Sequence, residues 1–314
     1  AKLELPQGAL AAWSEPPELA ELALPLPNAF LPDDFALLSP AHPPLHPAAT
    51  AAASAAGNAH AATATAATNA SAAATDDERP SVEPPNLLFN SSEAGTLWHR
   101  TETSFGLPMG AMHVLWAVPR VAESARGCVK AQLLELMVRE QLRAVSYDAG
   151  VAGSTVAFGA STRGFELSAY GFSQRLPVLL DTLLEAVVGL EADGDAAQKR
   201  FKTQKELLTR ALVDSDKQSP QGFASQLSQH LTRRVHYLPK QLLRALEPLS
   251  LADVANFTAS LVRDDATSVE GMVLGNLDEA GAAGMLRNTT RKLVARALPF
   301  AARPKQAVVD LSGR

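Results

Sequence analysis

The stretch Leu24-Pro25-Leu26-Pro27-Asn28-Ala29-Phe30-Leu31-Pro32-Asp33-Asp34-Phe35 sets the organisation of this chain. Each proline lacks a backbone N–H, fixes its own φ and pushes the preceding residue toward extended geometry, which excludes a helix. Leucine and phenylalanine recur through the stretch, and such side chains need a surface to lie against. We therefore predict an extended strap that staples one domain to another.

Composition narrows the classes of function. The 314 residues carry a formal charge of −5 and no Lys/Arg cluster with interleaved aromatic residues, so no nucleic-acid partner is expected. Cys128 is the single cysteine, which excludes an intramolecular disulfide and a thiolate metal cage. No apolar run approaches the roughly 20 residues of a membrane span, and no signal-peptide pattern opens the chain. We expect an intracellular location, in the cytosol or an organelle, over secretion; the first residue, alanine, indicates a processed or truncated product.

Composition also divides the chain along its length. Residues 1–40 are predicted to form an extended, proline-rich connector. Residues 41–85 are rich in Ala, Thr, Ser and Asn and lack core-forming side chains, so we predict a disordered insertion there. Residues 86–300 have the periodicity of a globular domain, and one last strand is predicted within residues 301–314.

The pattern inside residues 86–300 indicates the fold class. Strands are predicted near residues 87–89, 96–101, 112–118, 153–160, 164–172 and 267–275, and helices near 123–145, 176–190, 195–213, 221–235, after Pro239, 251–261 and 277–297. Within 164–172, Phe165, Leu167 and Ala169 alternate with polar or aromatic residues, and Ser250 with Asp253 three residues on fits an N-cap before the helix at 251–261. Strands gather around one helix, and a run of helices follows. This order favours an α+β fold with an antiparallel sheet packed against helices, because a doubly wound parallel sheet needs strict strand–helix alternation.

Six landmarks follow the strap in a fixed order. They are Leu97-Trp98-His99-Arg100 with Phe105-Gly106-Leu107-Pro108, Tyr147-Asp148-Ala149-Gly150-Val151-Ala152-Gly153, Leu167-Ser168-Ala169-Tyr170-Gly171-Phe172-Ser173 with Leu176-Pro177-Val178-Leu179-Leu180, Lys199-Arg200-Phe201, Val273-Leu274-Gly275-Asn276-Leu277, and Gln306-Ala307-Val308-Val309-Asp310-Leu311. Together they resemble the middle, or third, domain of the insulysin/pitrilysin family of inverted-zinc-motif metallopeptidases. The resemblance covers most of the chain except the alanine-rich insertion. It implies that residues 1–40 are the connector between two halves of an enzyme, residues 86–300 the third domain, and residues 301–314 the first strand of a truncated fourth domain.

The family's catalytic motif is absent from this sequence. In the family, a helix of the first domain carries His-x-x-Glu-His, whose histidines hold Zn²⁺ because residues i and i+4 share one face. The seven histidines here are His42, His46, His60, His99, His113, His230 and His236. His42 and His46 are four apart, but prolines between them forbid a helix. We predict no catalytic and no metal-binding residue in this chain, and we leave substrate-binding residues unassigned.

Two finer predictions concern helices. The helix at the place homologous to the zinc helix includes Glu135 and Arg139, for which we predict an ordinary i,i+4 ion pair on a solvated face. His230 and His236 are predicted to face different ways on one helix.

The resemblance implies a non-catalytic, chamber-wall domain that helps enclose short peptides in an insulysin-like zinc metalloendopeptidase. Such a chain is expected to be inactive alone, because zinc belongs to the N-terminal catalytic half, which would be its partner in cis or in trans. Peptide substrates are the other expected partners. An alternative is a non-catalytic structural subunit that reuses this fold as a scaffold, with protein-complex partners, as core proteins of respiratory complexes do. A soluble α+β domain unrelated to peptidases is the third alternative.

Overall fold

The computed structural model describes residues 27–38, 84–103, 105–190 and 194–305, and a mixed β-sheet lies at its centre. The strands are β1 (Asn86–Ser91), β2 (Gly95–Thr101), β3 (Met109–Ala117), β4 (Thr155–Ser161), β5 (Gly164–Phe172), β6 (Ala266–Gly275) and β7 (Arg296–Ala297). Their order across the sheet is β1-β2-β6-β3-β5-β4, and β7 pairs with β6. The disordered insertion predicted at 41–85 lies almost wholly outside the described residues, and so does the strand predicted at 306–311.

The predicted α+β fold is confirmed, and the sheet is mostly antiparallel. Two pairs, β2–β6 and β6–β7, are parallel, so the prediction of an antiparallel sheet is wrong at these positions. The connection between β2 and β3 makes one parallel pair unavoidable. Strand β2 ends and strand β3 begins at the same end of the sheet, so the two strands run in opposite directions, and β6 lies between them. A strand inserted between two antiparallel strands must run parallel to one of them.

Eight α-helices occur in the described part of the chain. They are α1 (Ala125–Gln141), α2 (Arg143–Val151), α3 (Leu176–Val188), α4 (Gly194–Asp214), α5 (Pro220–Thr232), α6 (Pro239–Leu246), α7 (Leu251–Arg263) and α8 (Glu279–Leu293). The single helix predicted at 123–145 is therefore two helices that meet at Leu142, and the landmark at 147–153 is helical as far as Val151. The chain leaves helical geometry at Gly153, whose φ of 73° is a left-handed conformation that glycine adopts without a Cβ clash.

The hydrophobic core lies between one face of the sheet and the helices. Helices α1, α2, α3 and α8 contact the strands, and α4, α6 and α7 pack behind α1. The rings of Trp116 and Phe158 lie 5.4 and 5.2 Å from the ring of Phe165, and all three side chains are almost fully buried. Stacked aromatic contacts of this kind stabilise a core beyond the area that they bury. The predicted alternation of 164–172 is confirmed, because Phe165, Leu167 and Ala169 are buried.

Helix α7 begins at a capping box, as the sequence predicts. Ser250 Oγ accepts a hydrogen bond from the backbone N–H of Asp253, and the Asp253 carboxylate accepts from the backbone N–H of Ser250 at 3.1 Å. The hydrogen bonds that this carboxylate accepts from the backbone N–H and the hydroxyl of Ser250, with a smaller effect of Arg126, hold the pKa of Asp253 at about 2, below its ordinary value of 3.8. The charged carboxylate therefore fixes the start of a helix that packs on α1.

In the structure the strap continues past Phe35 to residue 38. Its described part, residues 27–38, lies across the end of the sheet where β5 and β6 finish. Phe30 is 6% exposed, and the ring of Phe35 meets the ring of Phe172 edge-on at 5.5 Å. Phe30 thus finds the surface that the sequence pattern requires, and Phe35 contacts it, whereas Leu31, Leu37 and Leu38 stay 52%, 38% and 55% exposed. In the described residues, that surface belongs to the domain that follows the strap.

The side chain of Asn276 forms hydrogen bonds with two backbone groups at the end of the strap, and we call this contact the clamp. Asn276 Nδ2 donates to the carbonyl of Ala36 at 2.8 Å and to Ser173 Oγ at 3.2 Å. Asn276 Oδ1 accepts from the backbone N–H of Leu38 at 2.8 Å. Because Asn276 is 7% exposed, these bonds form at a site largely shielded from water.

We expect Asn276→Ala to release the end of the strap. The substitution removes two hydrogen bonds of the strap, which destabilises the bound conformation of its end by about 1–3 kcal/mol relative to the released one. Hydrogen exchange at the amide of Leu38 should therefore accelerate by about one to two orders of magnitude. The matched control is Gln174→Ala, since Gln174 Oε1 accepts the N–H groups of Asp33 and Asp34 and not that of Leu38. Unchanged exchange at Leu38 in Asn276→Ala would contradict the clamp.

Candidate functional site

The face of the sheet opposite the core carries side chains whose positions follow from the strand registers. Successive residues of a strand point to opposite faces, so the buried Met112, Val114 and Trp116 of β3 leave His113 and Leu115 on the other side. The registers set two rows across this face. One row contains Trp98, Met272, His113 and Ser168, and the next contains Thr96, Glu270, Leu115 and Glu166.

A groove with a volume of 340 Å³ lies on this face. It is lined by Trp98, His113, Val114, Leu115, Arg163, Glu166, Leu167, Ser168, Glu270, Gly271 and Met272. The volume falls in the range of small-ligand sites. Trp98, which lines the groove, is 43% exposed. The lining combines an aromatic ring and aliphatic side chains with both signs of charge. Such a surface can contact apolar and polar side chains of an extended peptide at once.

One charge of the groove, that of Glu270, is held in a fixed position by Arg303. Arg303 Nη1 lies 3.1 Å from Glu270 Oε1 and donates to Thr96 Oγ1 at 3.0 Å. The guanidinium of Arg303 lies over the ring of Phe300 at 4.1 Å from its centroid. Glu270 is therefore anchored at the rim. Glu166 lies on the other side of Leu115, two strands away, at a backbone separation of about 10 Å.

The sequence did not identify these lining residues, because they come from several strands. The period-2 alternation of β5 places Glu166 and Ser168 on the outward face, which is a usable signal. It does not indicate that β6 inserts between β2 and β3, which is what brings Trp98 and Glu270 to the same groove. The groove is therefore a product of strand order.

Helix α1, which the sequence resemblance equates with the family's zinc helix, carries Glu135, whose carboxylate makes structural contacts. Arg139 Nη1 lies 3.3 Å from Glu135 Oε1, which confirms the predicted i,i+4 pair. Glu135 Oε2 also accepts the backbone N–H of Ala160, on the edge strand β4, at 3.0 Å. The prediction of a solvated face is therefore wrong for Glu135, whose side chain is only 22% exposed, because this second bond ties the helix to the sheet. Burial raises the pKa of the Cys128 thiol on the same helix, so the thiol stays protonated and is a poor metal ligand.

Two histidines lie in the sheet, with different surroundings. His99 is 3% exposed, and its Nε2 donates to the carbonyl of Leu277 at 2.9 Å. This bond makes His99 a satisfied core residue, which agrees with the prediction for a strand histidine. His113 is exposed in the groove.

The other described histidines, His230 and His236, correct a prediction. They were expected to face different ways on one helix, but α5 ends at Thr232 and the chain turns back. The two rings lie 5.8 Å apart, and His230 Nδ1 donates to the carbonyl of His236 at 2.9 Å. Burial lowers the pKa of His236, and the neighbouring ring of His230 lowers it further.

The residues that the structure describes do not fit the zinc ion that the resemblance implies for the family. Helix α1 offers a glutamate bound to Arg139 and to a backbone N–H, and no histidine. Within residues 27–38, 84–103, 105–190 and 194–305, no three His, Cys, Asp or Glu side chains come together as a metal site. His42, His46 and His60 lie outside those residues, so the absence of a metal site remains a prediction.

Among the residues that the structure describes, no helix has the length and apolar content to cross a bilayer.

Comparison with known proteins places these features in a family. The model of the middle or third domain of peptidase M16 matches residues 2–245. The chain is 23% identical over 276 residues to insulin-degrading enzyme-like 2 of Arabidopsis thaliana, covering 88% of this chain and 24% of that protein. It is 24% identical over 225 residues to human insulin-degrading enzyme, covering 72% of this chain and 22% of that protein. It thus spans about a quarter of the length of these relatives.

A solved structure shows the same fold. The crystal structure of pitrilysin matches 91% of this chain and 25% of its own, with a TM-score of 0.66 and 20% identity. A conserved protein from Enterococcus faecalis matches 67% of this chain and 53% of its own, with a TM-score of 0.51. The family match covers well over half of the residues, and the landmarks at 97–100, 167–172 and 273–275 lie in strands of the sheet. This chain belongs to the M16 peptidase family, as a middle, or third, domain of the insulysin/pitrilysin type.

Proposed function

We propose that this chain forms part of the wall of a closed chamber for short peptides in an insulysin-like zinc metalloendopeptidase. The observation that carries the proposal is the groove of 340 Å³ on the sheet face, in a domain of this family. The names of the relatives, such as human insulin-degrading enzyme, support a peptide as the ligand. The chain itself supplies binding surface, because α1 has no zinc-binding pair.

A wall domain contributes to the selection of peptide substrates through the size of the chamber and through contacts with the peptide. A closed chamber admits a peptide only when the peptide fits inside, and contacts along the wall then hold it near the reacting centre. Trp98 and Met272 offer apolar contact in the groove, and Glu166 offers charge. On this proposal the zinc and the catalytic glutamate are supplied by another half, in cis or in trans. The chain alone hydrolyses no peptide.

The first test of this proposal uses a quenched fluorescent peptide. We expect no cleavage by the purified chain with added zinc, and cleavage when a zinc-bearing half encoded by the same source is present. Chelator-sensitive cleavage by the chain alone would overturn the claim that it has no metal site. A source transcript that encodes no His-x-x-Glu-His upstream would instead favour the scaffold subunit.

The second test locates the peptide on the groove. In the two-half enzyme, Trp98→Ala removes an exposed aromatic contact worth about 0.5–1.5 kcal/mol, so KM should rise by about 2- to 10-fold with kcat little changed. Tyr147→Ala is the matched control, since Tyr147 is 73% exposed on α2, away from the groove. An equal KM for the two variants would contradict peptide binding at this face.

A further inference from the structure

Glu166 is an unpaired carboxylate of the groove. It lies on β5 with its side chain exposed, and among the described residues this side chain takes part in no hydrogen bond or ion pair. Glutamate is depleted in strands, and an opposite charge on the neighbouring strand is what stabilises a charged residue there. The cross-strand neighbours of Glu166 are instead Leu115 and Gly159, which offer no charge.

Glu270, in the same row of the sheet, shows how this face neutralises a carboxylate. Its Oε1 lies 3.1 Å from Arg303 Nη1, so its charge is compensated within the domain. Glu166 lies on the other side of Leu115 and has no such cation within the described part of the chain. Of the two carboxylates that line the groove, Glu166 is therefore the one whose charge is available to a ligand.

The surroundings of Glu166 leave room for a side chain of a ligand. On β4 it faces Gly159, where an added Cβ would meet no atom within 4 Å. Its neighbours two positions away on β5, Gly164 and Ser168, are both small. The aliphatic stem of a lysine or arginine can therefore lie beside Leu115 while its charged end reaches the carboxylate.

The groove has an aromatic end and a charged end. Trp98 lies on β2, whereas Glu166 lies on β5 and Arg163 in the turn before it. Strand spacings of about 4.8 Å and a rise of about 3.4 Å per residue place the backbones of Trp98 and Glu166 about 16 Å apart. In an extended peptide, side chains four residues apart point to the same side, and their backbones are about 13 Å apart. Side chains can cover the remaining distance.

Arg163 opposes the binding of a cation at the charged end. Its side chain also has no hydrogen bond or ion pair among the described residues, and it lines the groove. Because no ion pair joins Arg163 to Glu166, the two charges act separately on a ligand. We therefore expect substitutions of the two residues to have opposite effects on a basic ligand.

We propose that Glu166 determines specificity at the groove by binding a lysine or arginine side chain of an extended peptide. An aromatic or aliphatic side chain of the same peptide, four residues away, contacts Trp98. The inference rests on the proposed function in taking a peptide as the ligand of the groove. It adds a substrate class, which is peptides that carry an apolar and a basic residue at this spacing.

Binding of three dye-labelled peptides to the purified chain tests this assignment. The first probe is Gly-Phe-Ser-Gly-Ser-Lys-Gly-Ser with blocked ends, and the other two carry Gln or Glu in place of Lys. The Lys probe should bind about 2- to 5-fold more tightly than the Gln probe, which is the range of an exposed ion pair, and the Glu probe should bind most weakly. Sodium chloride at about 0.5 M should remove most of the difference.

Four substitutions separate Glu166 from the overall charge of the chain. Glu166→Gln should abolish the preference for Lys over Gln, and Glu166→Lys should reverse the order, so that the Glu probe binds most tightly. Glu123→Lys makes the same change in net charge at an exposed position outside the groove, and it should leave the order unchanged. Arg163→Gln should strengthen binding of the Lys probe by about 2-fold. Circular dichroism checks the fold of each variant, and the isosteric Glu166→Gln keeps the test valid if Glu166→Lys does not fold.

Several results would overturn the assignment. They are equal binding of the three probes, no binding of any probe at about 1 mM, and equal effects of Glu166→Lys and Glu123→Lys. A probe with Phe and Lys adjacent that binds as tightly as the first probe would also overturn it.

Peptide hydrolysis by the two-half enzyme is a separate readout. With a quenched fluorescent substrate that contains the sequence of the Lys probe, Glu166→Gln should raise KM by about 2- to 5-fold and leave kcat little changed. An enzyme that cleaves peptides without this charge preference removes only the inference. A chain that binds the Lys probe through Glu166 but supports no cleavage removes only the proposed function.

Discussion

Gly164→Ala is expected to destabilise the domain by about 2–6 kcal/mol, which combines backbone strain with overpacking. Gly164 opens β5 with a φ of 139°, a conformation that L side chains rarely adopt. A Cβ at this position would lie 2.1 Å from the carbonyl oxygen of Trp116 and 2.6 Å from the backbone nitrogen of Val118. Both contacts are with backbone, so no side-chain rotation can relieve them. Urea unfolding, followed by circular dichroism, measures the loss.

The control for this prediction is Gly159→Ala, on the neighbouring strand β4. A Cβ there meets nothing within 4 Å, so the change should be neutral or stabilising by up to about 1 kcal/mol. A Gly164→Ala protein as stable as Gly159→Ala would show that β3 and β5 can separate without cost at this end of the sheet.

Trp116→Ala is expected to cost about 3–5 kcal/mol of unfolding free energy, the range for a large buried aromatic residue. Trp116 is 0% exposed, and its ring lies 5.4 Å from that of Phe165. Removal of the indole leaves a cavity at the centre of the sheet, between β3 and the helices. Thermal or urea unfolding of the purified chain gives the value.

Trp116→Phe separates the cavity from the loss of the indole N–H. Nε1 of Trp116 is buried with no hydrogen-bond partner among the described residues, so its removal breaks no bond. Phenylalanine keeps much of the contact with Phe165 and should cost less than about 1.5 kcal/mol. If Trp116→Phe were as damaging as Trp116→Ala, the packing explanation would be wrong.

The sequence was sufficient to predict most helices and strands, because local pattern specifies them. Alternation predicted β5, and Ser250 with Asp253 predicted the start of α7. Features that depend on contacts between distant parts of the chain were missed. The split at Leu142 has no breaker residue, and the return of His236 to His230 depends on where α5 ends. The parallel pairing of β6 is a consequence of its insertion between two strands that are consecutive in the chain.

The candidate site shows the same division between local and distant information. The missing zinc motif can be read from spacing along a helix, which is local. The groove needs Trp98, Glu166 and Glu270 from three different strands, and their order cannot be derived from residue periodicity. The bond from Glu135 to the N–H of Ala160 also joins elements whose distance is set by the packing of α1.

The clamp at Asn276 also constrains the order in which the domain forms. Ala36 and Asn276 are 240 residues apart in the chain, yet they share a hydrogen bond. At about 5–20 residues per second, a ribosome needs roughly 10–50 s to make the intervening chain. The strap is thus synthesised long before its binding surface exists, and it can reach its final place only after β6 has joined the sheet. Protection of the Leu38 amide during synthesis would consequently mark the moment at which β6 has joined the sheet of this domain.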